Sequence, residues 1–398
     1  MPRFVRATGS TLQFAGSRRR SPHQGCGGSG FDLLISLPPK GAKEAEYFFL
    51  LCSLRFLRLQ HFGDGQSLVT SAPTGEVRRF FLSPFSIRLH FSGVELSAAE
   101  ILQAVKLALA EDIGSGDATT LAIVPETATA KAVMRTREPL VVAGLAFAEA
   151  AFAELSSPPP KASNDRKPGT RFICRSEITS LKIERLVQDG QHVKEDETLL
   201  KISGPARALL SAERVALNFV QRLSGIATLT AQFVEAVKGT HAQILDTRKT
   251  TPGWRRFEKY AVTCGGGHNH RRGLDDMVLI KDNHLAALRG EKPNAIAAAV
   301  ERARKKYPDL KIEVETDTLE QVGQAADAWA DVILLDNMNP IQLRLAAQKV
   351  KGRMKTEASG GVNLANVQAI AKTGVDFISV GALTHSARAV DIGLDFES

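Results

Sequence analysis

Beyond residue 240 the apolar residues fall into short runs, each closed by polar or charged residues and followed by a stretch of helical spacing. The runs are "AQILDTRK", "MVLIKDNH", "KIEVETD", "VILLDN", "TEASGG" and "FISVGALTHS". Apolar positions between them recur every three to four residues, which predicts helices over Ala295–Lys306, Leu319–Ala328, Pro340–Val350 and Leu364–Lys372. Strands apolar on both faces belong to a parallel sheet covered by helices. Six such β/α units close most economically as a barrel, so the predicted fold class is α/β with a TIM-like α/β barrel.

The pattern upstream is different. "LSAAEILQAVKLALAEDIGSGDATT" starts with Ser97 and Glu100 in capping-box spacing, with Leu96 and Ile101 placed as a hydrophobic staple. Ile101, Val105 and Leu109 share one helical face, and Gly114 and Gly116 end the helix. Strand-like "AKAVMRT" and "LVVAG" precede an Ala-rich helix, Leu145–Leu155, and "SSPPPKASNDRKPG" reads as a loop or insertion. "ERLVQDGQHVKEDETLLKISG" predicts a hairpin around its Asp-Gly turn. It has half the pattern of a lipoyl carrier but no lysine at the tip, so its reading is structural. "SAERVALNFVQRLSGIATLTAQFVEAVKG" is helical, with an interruption expected near Ser224-Gly225. The expected organisation is an α+β domain over residues 94–212 and the barrel over 213–398, with the C-terminal tail free to return to the first domain.

Charge separates a third region. Residues 1–93 hold 12 Lys and Arg against 5 Asp and Glu, and 11 of the 19 phenylalanines, with no sustained period of two or 3.6. We read them as a non-catalytic, mostly disordered extension; basic, acid-poor composition also suits a transit peptide. The rest of the chain carries 39 basic and 38 acidic residues, so the net charge of +8 does not describe its body. No nucleic-acid partner is expected on that balance. No apolar window reaches the ~20 residues of a membrane span. The four cysteines form no Cys-x-x-Cys pair, which argues against a zinc site or a disulfide framework and for a reduced, cytoplasmic setting.

In β/α barrels the chemistry sits at the C-terminal ends of the strands. Here those ends carry Asp246, Arg248 and Lys249; Lys281, Asp282, Asn283 and His284; Glu313 and Glu315; Asp336 and Asn337; Ser359, Gly360 and Gly361; and Gly381 and His385. Arg248, Lys249, Arg271 and Lys281, pooled on one face, would repel one another unless a multiply charged anion neutralised them. Arg255, Arg256 and Arg272 read equally well as solvated charge. "CGGGHNHR" suggests backbone close to a ligand or a loop that must bend. His268 and His270 share a face on a strand, and hydrogen bonding is preferred over metal binding because no third soft ligand is near. Glu315 and Asp336 end consecutive strands and suit Mg²⁺ or sugar hydroxyls, or simply balance the cations. "ASGGV" and "SVGAL" close the last two strands, where such barrels bind phosphate on backbone N–H groups. The pocket these residues describe would transfer a phosphorylated sugar to an acidic acceptor.

The motifs "DTRKTTPGWRRFEKYAVTCGGGHNHRRGLDDMVLIKDNH", "AERVALNFVQRLSGIAT", "IEVETDTLEQV", "ILLDN", "SGGV" and "VGALTHS" closely resemble the quinolinate phosphoribosyltransferase family, in order and from about Leu96 to the C-terminus. The resemblance implies an N-terminal α/β sandwich followed by an open, roughly seven-stranded barrel, the type II phosphoribosyltransferase architecture. It implies Mg²⁺-dependent reaction of quinolinate with phosphoribosyl pyrophosphate to nicotinate mononucleotide, pyrophosphate and CO₂, in de novo NAD synthesis. It further implies homodimers, or multiples of dimers, with a shared active site. By motif, Arg248, His270, Arg271 and Lys281 would hold the two quinolinate carboxylates, with Lys249 between the two substrates. Arg214 would reach in from the neighbouring subunit. Glu315 and Asp336 would address Mg²⁺ and the ribose hydroxyls, and Ser359, Gly360, Gly361 and Gly381 would seat the 5′-phosphate. A related pyrophosphorylase-like group, associated with molybdate transport, shares the fold; the intact set Arg248-Lys249, His270-Arg271 and Lys281 favours quinolinate.

Overall fold

The computed structural model describes residues 94–156, 181–350 and 352–397, together with four short strands between residues 6 and 81. The chain divides into two units, residues 1–89 and 90–398. In the first, β1 (Arg6–Thr8) pairs antiparallel with β2 (Thr11–Gln13), and β3 (Ser67–Ser71) with β4 (Val77–Phe81). The expectation of disorder over 1–93 otherwise lies outside the described residues, as does the insertion "SPPPKASNDRKPG" beyond Ser156.

The second unit begins with α1 (Ala98–Ile113). Ser97 and Glu100 form the full reciprocal capping box, and Gly114 (φ +53°) ends the helix, as the sequence predicts. α2 (Ala118–Ile123) is capped by Asp117. A four-stranded antiparallel sheet follows, ordered β16-β5-β9-β7. It is built from β5 (Thr129–Thr136), β7 (Lys182–Arg185), β9 (Thr198–Pro205) and the C-terminal β16 (Ile392–Glu397). The last of these returns from the far end of the chain to pair Leu394 with Met134. Helix α3 (Leu145–Ser156) buries Leu145, Phe147, Ala148, Ala151 and Phe152.

The Asp189-Gly190 turn does not make the expected hairpin. β7 pairs with β9, whereas β8 (His192–Val193) pairs with β6 (Leu140–Val141). The reason is local. The Asp189 carboxylate accepts the N–H groups of Gly144 and Leu145 at the start of α3, and Gly190 N–H bonds Val142 O. The turn is committed to the helix start instead of to a strand partner.

Helix α4 (Ala206–Ala236) is continuous for 31 residues, so the expected break at Ser224-Gly225 is absent. A Cβ at Gly225 would lie 1.9 Å from the Arg388 carbonyl oxygen. The glycine admits a crossing chain; it does not end the helix.

The barrel sheet contains β10 (Gln243–Leu245), β11 (Val278–Ile280), β12 (Ile312–Thr316), β13 (Val332–Asp336), β14 (Lys355–Ser359) and β15 (Phe377–Ser379). All neighbours are parallel, in the order β10-β15-β14-β13-β12-β11. Outside β10 lies a seventh segment reduced to one bridge, Leu245 with His268. The barrel is therefore open on the side between this segment and β11. Helices α5 (Arg255–Cys264), α6 (Asp282–Ala286), α7 (Ala295–Lys306), α8 (Leu319–Asp327), α9 (Pro340–Val350), α10 (Val367–Ala371) and α11 (Ala382–His385) alternate with the strands. β13 and the middle of β14 are buried on both faces, the requirement of a doubly covered sheet. Three predicted helices appear with their bounds intact or within one residue; the fourth shrinks to Val367–Ala371.

Candidate active site

The strand ends converge as the β/α rhythm requires. The floor beneath them is acidic. Glu313 lies inside β12, not at its end, and with Glu357 of β14 it is fully buried. Both face His270, whose Nε2 is 2.9 Å from Glu313 Oε2 and 3.4 Å from Glu357 Oε2. His270 Nδ1 accepts the Arg271 N–H at 2.7 Å. That leaves the ring proton on Nε2, a tautomer that donates to a carboxylate and offers no lone pair to a metal. Burial, and then the Glu357 charge, push Glu313 up to about 7. Burial opposes charging His270, but Glu357 and Glu313 outweigh it and raise its proton affinity. One oxygen of each acid, Glu313 Oε1 and Glu357 Oε1, is buried without a hydrogen-bond partner. His270 thus faces inward, towards acids, where the resemblance implied a substrate carboxylate.

Above this floor stand the cations. Burial lowers the pKa of Arg271, and the positive charge of Arg248 lowers it further. The Arg248 Nε is buried with no partner. Two guanidiniums are thus held within reach of each other's field, one of them with an unused donor. Lys249 is exposed beside the start of α11: its Cδ would lie 3.2 Å from a Cβ at Gly381, and its carbonyl accepts Thr384 Oγ1. The doubtful cations separate from this group. Arg255 bonds Thr250 and the Arg272 carbonyl, Arg256 pairs with Glu100, and Arg272 pairs with Asp276. The triple glycine lies against α4: a Cβ at Gly265 would meet the Ala227 carbonyl at 2.3 Å, and one at Gly267 the Thr230 Cγ2 at 2.7 Å. These glycines bring the loop onto a helix, and the ligand-contact alternative is not needed to explain them.

The acids at the rim form the next group. Lys281 Nζ lies 2.6 Å from Glu315 Oε2. Burial raises the Asp336 pKa, followed by the negative charges of Glu315 and Asp317. Crowded carboxylates of this kind suit a hard divalent cation held by one or two carboxylates plus substrate oxygens. At the next strand end, Gly360 (φ +94°) and Gly361 (φ +62°) follow Ser359. A Cβ on Gly360 would lie 2.1 Å from Asn337 Oδ1, so only glycine fits. Gly381 starts α11. Arg214 stands apart: it is exposed on α4, and no described contact joins it to the other candidates.

Sequence reasoning missed Glu357 and Lys259. The signal for Glu357 was an acid in the middle of a strand segment, "TEASGG"; Lys259, one of four charged residues in "RRFEKYAVTC", gave none.

Comparison with known proteins identifies the family. Residues 117–224 match the family "Quinolinate phosphoribosyl transferase, N-terminal domain", and residues 226–395 match its C-terminal domain. The chain is 42% identical over 308 residues to a nicotinate-nucleotide pyrophosphorylase [carboxylating] of Mycobacterium leprae, covering 76% of this chain and 99% of that protein. It is 40% identical over 310 residues to a chloroplastic protein of the same name from Arabidopsis thaliana, covering 74% and 82%. The structure of the nicotinate-nucleotide pyrophosphorylase from Francisella tularensis superposes with a TM-score of 0.67 at 36% identity, over 77% of this chain and all of that one. The chain belongs to the quinolinate phosphoribosyltransferase family.

Proposed function

We propose that the chain transfers phosphoribosyl from phosphoribosyl pyrophosphate to quinolinate with decarboxylation, giving nicotinate mononucleotide, pyrophosphate and CO₂ in NAD biosynthesis. The observation that carries this reading is the Arg248–Arg271 pair, two neighbouring guanidiniums with an unpartnered Nε, beside the acid-rich rim. A planar dicarboxylate answers the first feature and a ribose the second.

Arg248 and Arg271 grip the two quinolinate carboxylates, and Lys281 completes the grip from the β11 end. His270 supports the grip from below. Lys249 stands between quinolinate and the departing pyrophosphate. Glu315 and Asp336 hold the ribose hydroxyls and would hold Mg²⁺, which when bound supplies charge neutralisation for the pyrophosphate. Ser359, Gly360, Gly361 and Gly381 present backbone and hydroxyl donors to the 5′-phosphate. The pyridine nitrogen bonds to the anomeric carbon as the carbon–pyrophosphate bond breaks. The carboxylate beside the now cationic nitrogen leaves as CO₂, and the electron pair left on that carbon takes up a proton. No covalent nucleophile is needed, so catalysis is positioning and electrostatics.

We further assign the working form to a homodimer or a multiple of dimers, in which the exposed Arg214 reaches the neighbouring subunit's site. The proposed compartment is the cytoplasm. Among the described residues no helix is long and apolar enough to cross a membrane, and a curated relative from Nicotiana tabacum is named mitochondrial. Fractionation of cells expressing the full chain and a chain lacking residues 1–93 distinguishes cytoplasmic from organellar placement. The purified chain, supplied with phosphoribosyl pyrophosphate and either quinolinate or nicotinic acid, should turn over quinolinate alone; use of nicotinic acid instead would overturn the reading.

A further inference from the structure

A lysine with no exposed surface lies directly behind the cationic pocket. Lys259 of α5 and Asp246, just past β10, are both completely buried. Lys259 Nζ donates to Asp246 Oδ1 and, at 3.1 Å, to the carbonyl of His270. Asp246 also accepts the His270 N–H at 2.8 Å and Asn269 Nδ2 at 2.7 Å. Asn269 Nδ2 donates in turn to the Lys259 carbonyl at 2.8 Å, and Asn269 Oδ1 accepts the Val94 N–H at 3.0 Å. Every donor onto Asp246 therefore comes from the helix or from the segment that leads into Arg271.

Such a pair needs a reason. Well-packed apolar residues of the same volume are commonly as stable as a buried ion pair. What an apolar pair lacks is directional hold on backbone. The backbone of segment 268–271 needs it, because among the described residues it pairs with the sheet at a single ladder bridge, Leu245 with His268, and borders the open side. Asp246 is two residues from Arg248, and His270 precedes Arg271. One carboxylate thus ties the backbone before Arg271 to the segment that carries Arg248; the like charges of the two guanidiniums would otherwise drive them apart.

We propose that Asp246, Lys259 and Asn269 are positioning residues that set the spacing of the Arg248–Arg271 grip for a planar dicarboxylate. The proposal rests on the functional reading above. The network touches neither the rim acids nor the glycine strand ends in any described contact, so its influence falls on one substrate.

The test is steady-state kinetics of the full chain carrying Asp246→Asn with Lys259→Met, which removes both charges together. With native circular dichroism retained, the quinolinate KM should rise about ten- to a hundredfold while the KM for phosphoribosyl pyrophosphate stays within about twofold. Equal rises in both constants, or no change in either, overturn the proposal. Asn269→Ala covers the case in which the double variant fails to fold: its quinolinate KM should rise about three- to tenfold, and an unchanged value overturns the proposal. A wild-type chain inactive on quinolinate overturns the functional reading first; an active wild type with unaltered variants overturns the positioning alone.

Discussion

Lys281 and Glu315, on the ends of adjacent parallel strands, meet as a 2.6 Å ion pair at the mouth of the barrel. The pair joins two regions of opposite demand. On one side stand Arg248 and Arg271, short of negative charge; on the other stand Glu315, Asp317 and Asp336, crowded with it. Glu315→Gln should therefore weaken both the grip on ribose and the hold on Mg²⁺. A charged hydrogen bond contributes roughly 1.5–3 kcal/mol, about a ten- to hundredfold rise in the KM for phosphoribosyl pyrophosphate. A Mg²⁺ titration of the rate should shift to higher concentration in parallel. A variant with both curves unmoved would remove Glu315 from the site.

Arg271→Ala leaves one guanidinium to face a dicarboxylate. Truncating one partner of a desolvated charge pair costs about 2–5 kcal/mol. The quinolinate KM should rise accordingly, with little change in the KM for phosphoribosyl pyrophosphate. Because Arg271 also eases the field on Arg248 when it leaves, thermal stability should hold or improve. Differential scanning of the variant beside its kinetics checks both halves.

Gly360→Ala tests the phosphate end. The backbone there has φ +94°, and a Cβ would sit 2.1 Å from Asn337 Oδ1. Forcing a side chain into that region costs on the order of 1–3 kcal/mol. The thermal midpoint should fall and the KM for phosphoribosyl pyrophosphate should rise, with quinolinate affinity retained. A loss confined to quinolinate would contradict the placement of the phosphate.

Glu100 gives a pH dependence away from the pocket. Hydrogen bonds from the Ser97 backbone and side chain, and then from Arg256, hold its carboxyl at about 2 instead of 4.5. A depressed carboxyl pKa contributes stability that is present above 4.5 and is lost as pH falls towards 2. The thermal midpoint of wild type should therefore drop more steeply across that window than the midpoint of Glu100→Gln. Parallel slopes for the two chains would mean that the cap is not coupled to folding.

Local chemistry was readable where it is self-contained. The Ser97–Glu100 box and the strand–helix rhythm after residue 240 depend on neighbours within a turn or two, and both are found as predicted. What depends on distant partners was not readable. Gly225 looks like a helix breaker until the Arg388 carbonyl is seen against it. Asp189-Gly190 looks like a hairpin until Asp189 is seen holding the start of α3. In the site, the residue types at the strand ends were evident, yet His270 turns inward to Glu313 and Glu357. Lys259 gave no sign of complete burial, because its partner Asp246 lies 13 residues away in the chain.

Sugar transfer and loss of the carboxylate beside the ring nitrogen should occur as one coupled event. Quinolinate labelled in that carboxylate, incubated with phosphoribosyl pyrophosphate, Mg²⁺ and the purified chain, tests it directly. One labelled CO₂ is expected for each mononucleotide and pyrophosphate formed, and none when phosphoribosyl pyrophosphate is withheld. Mononucleotide that keeps the label, or CO₂ released without the sugar donor, would contradict it.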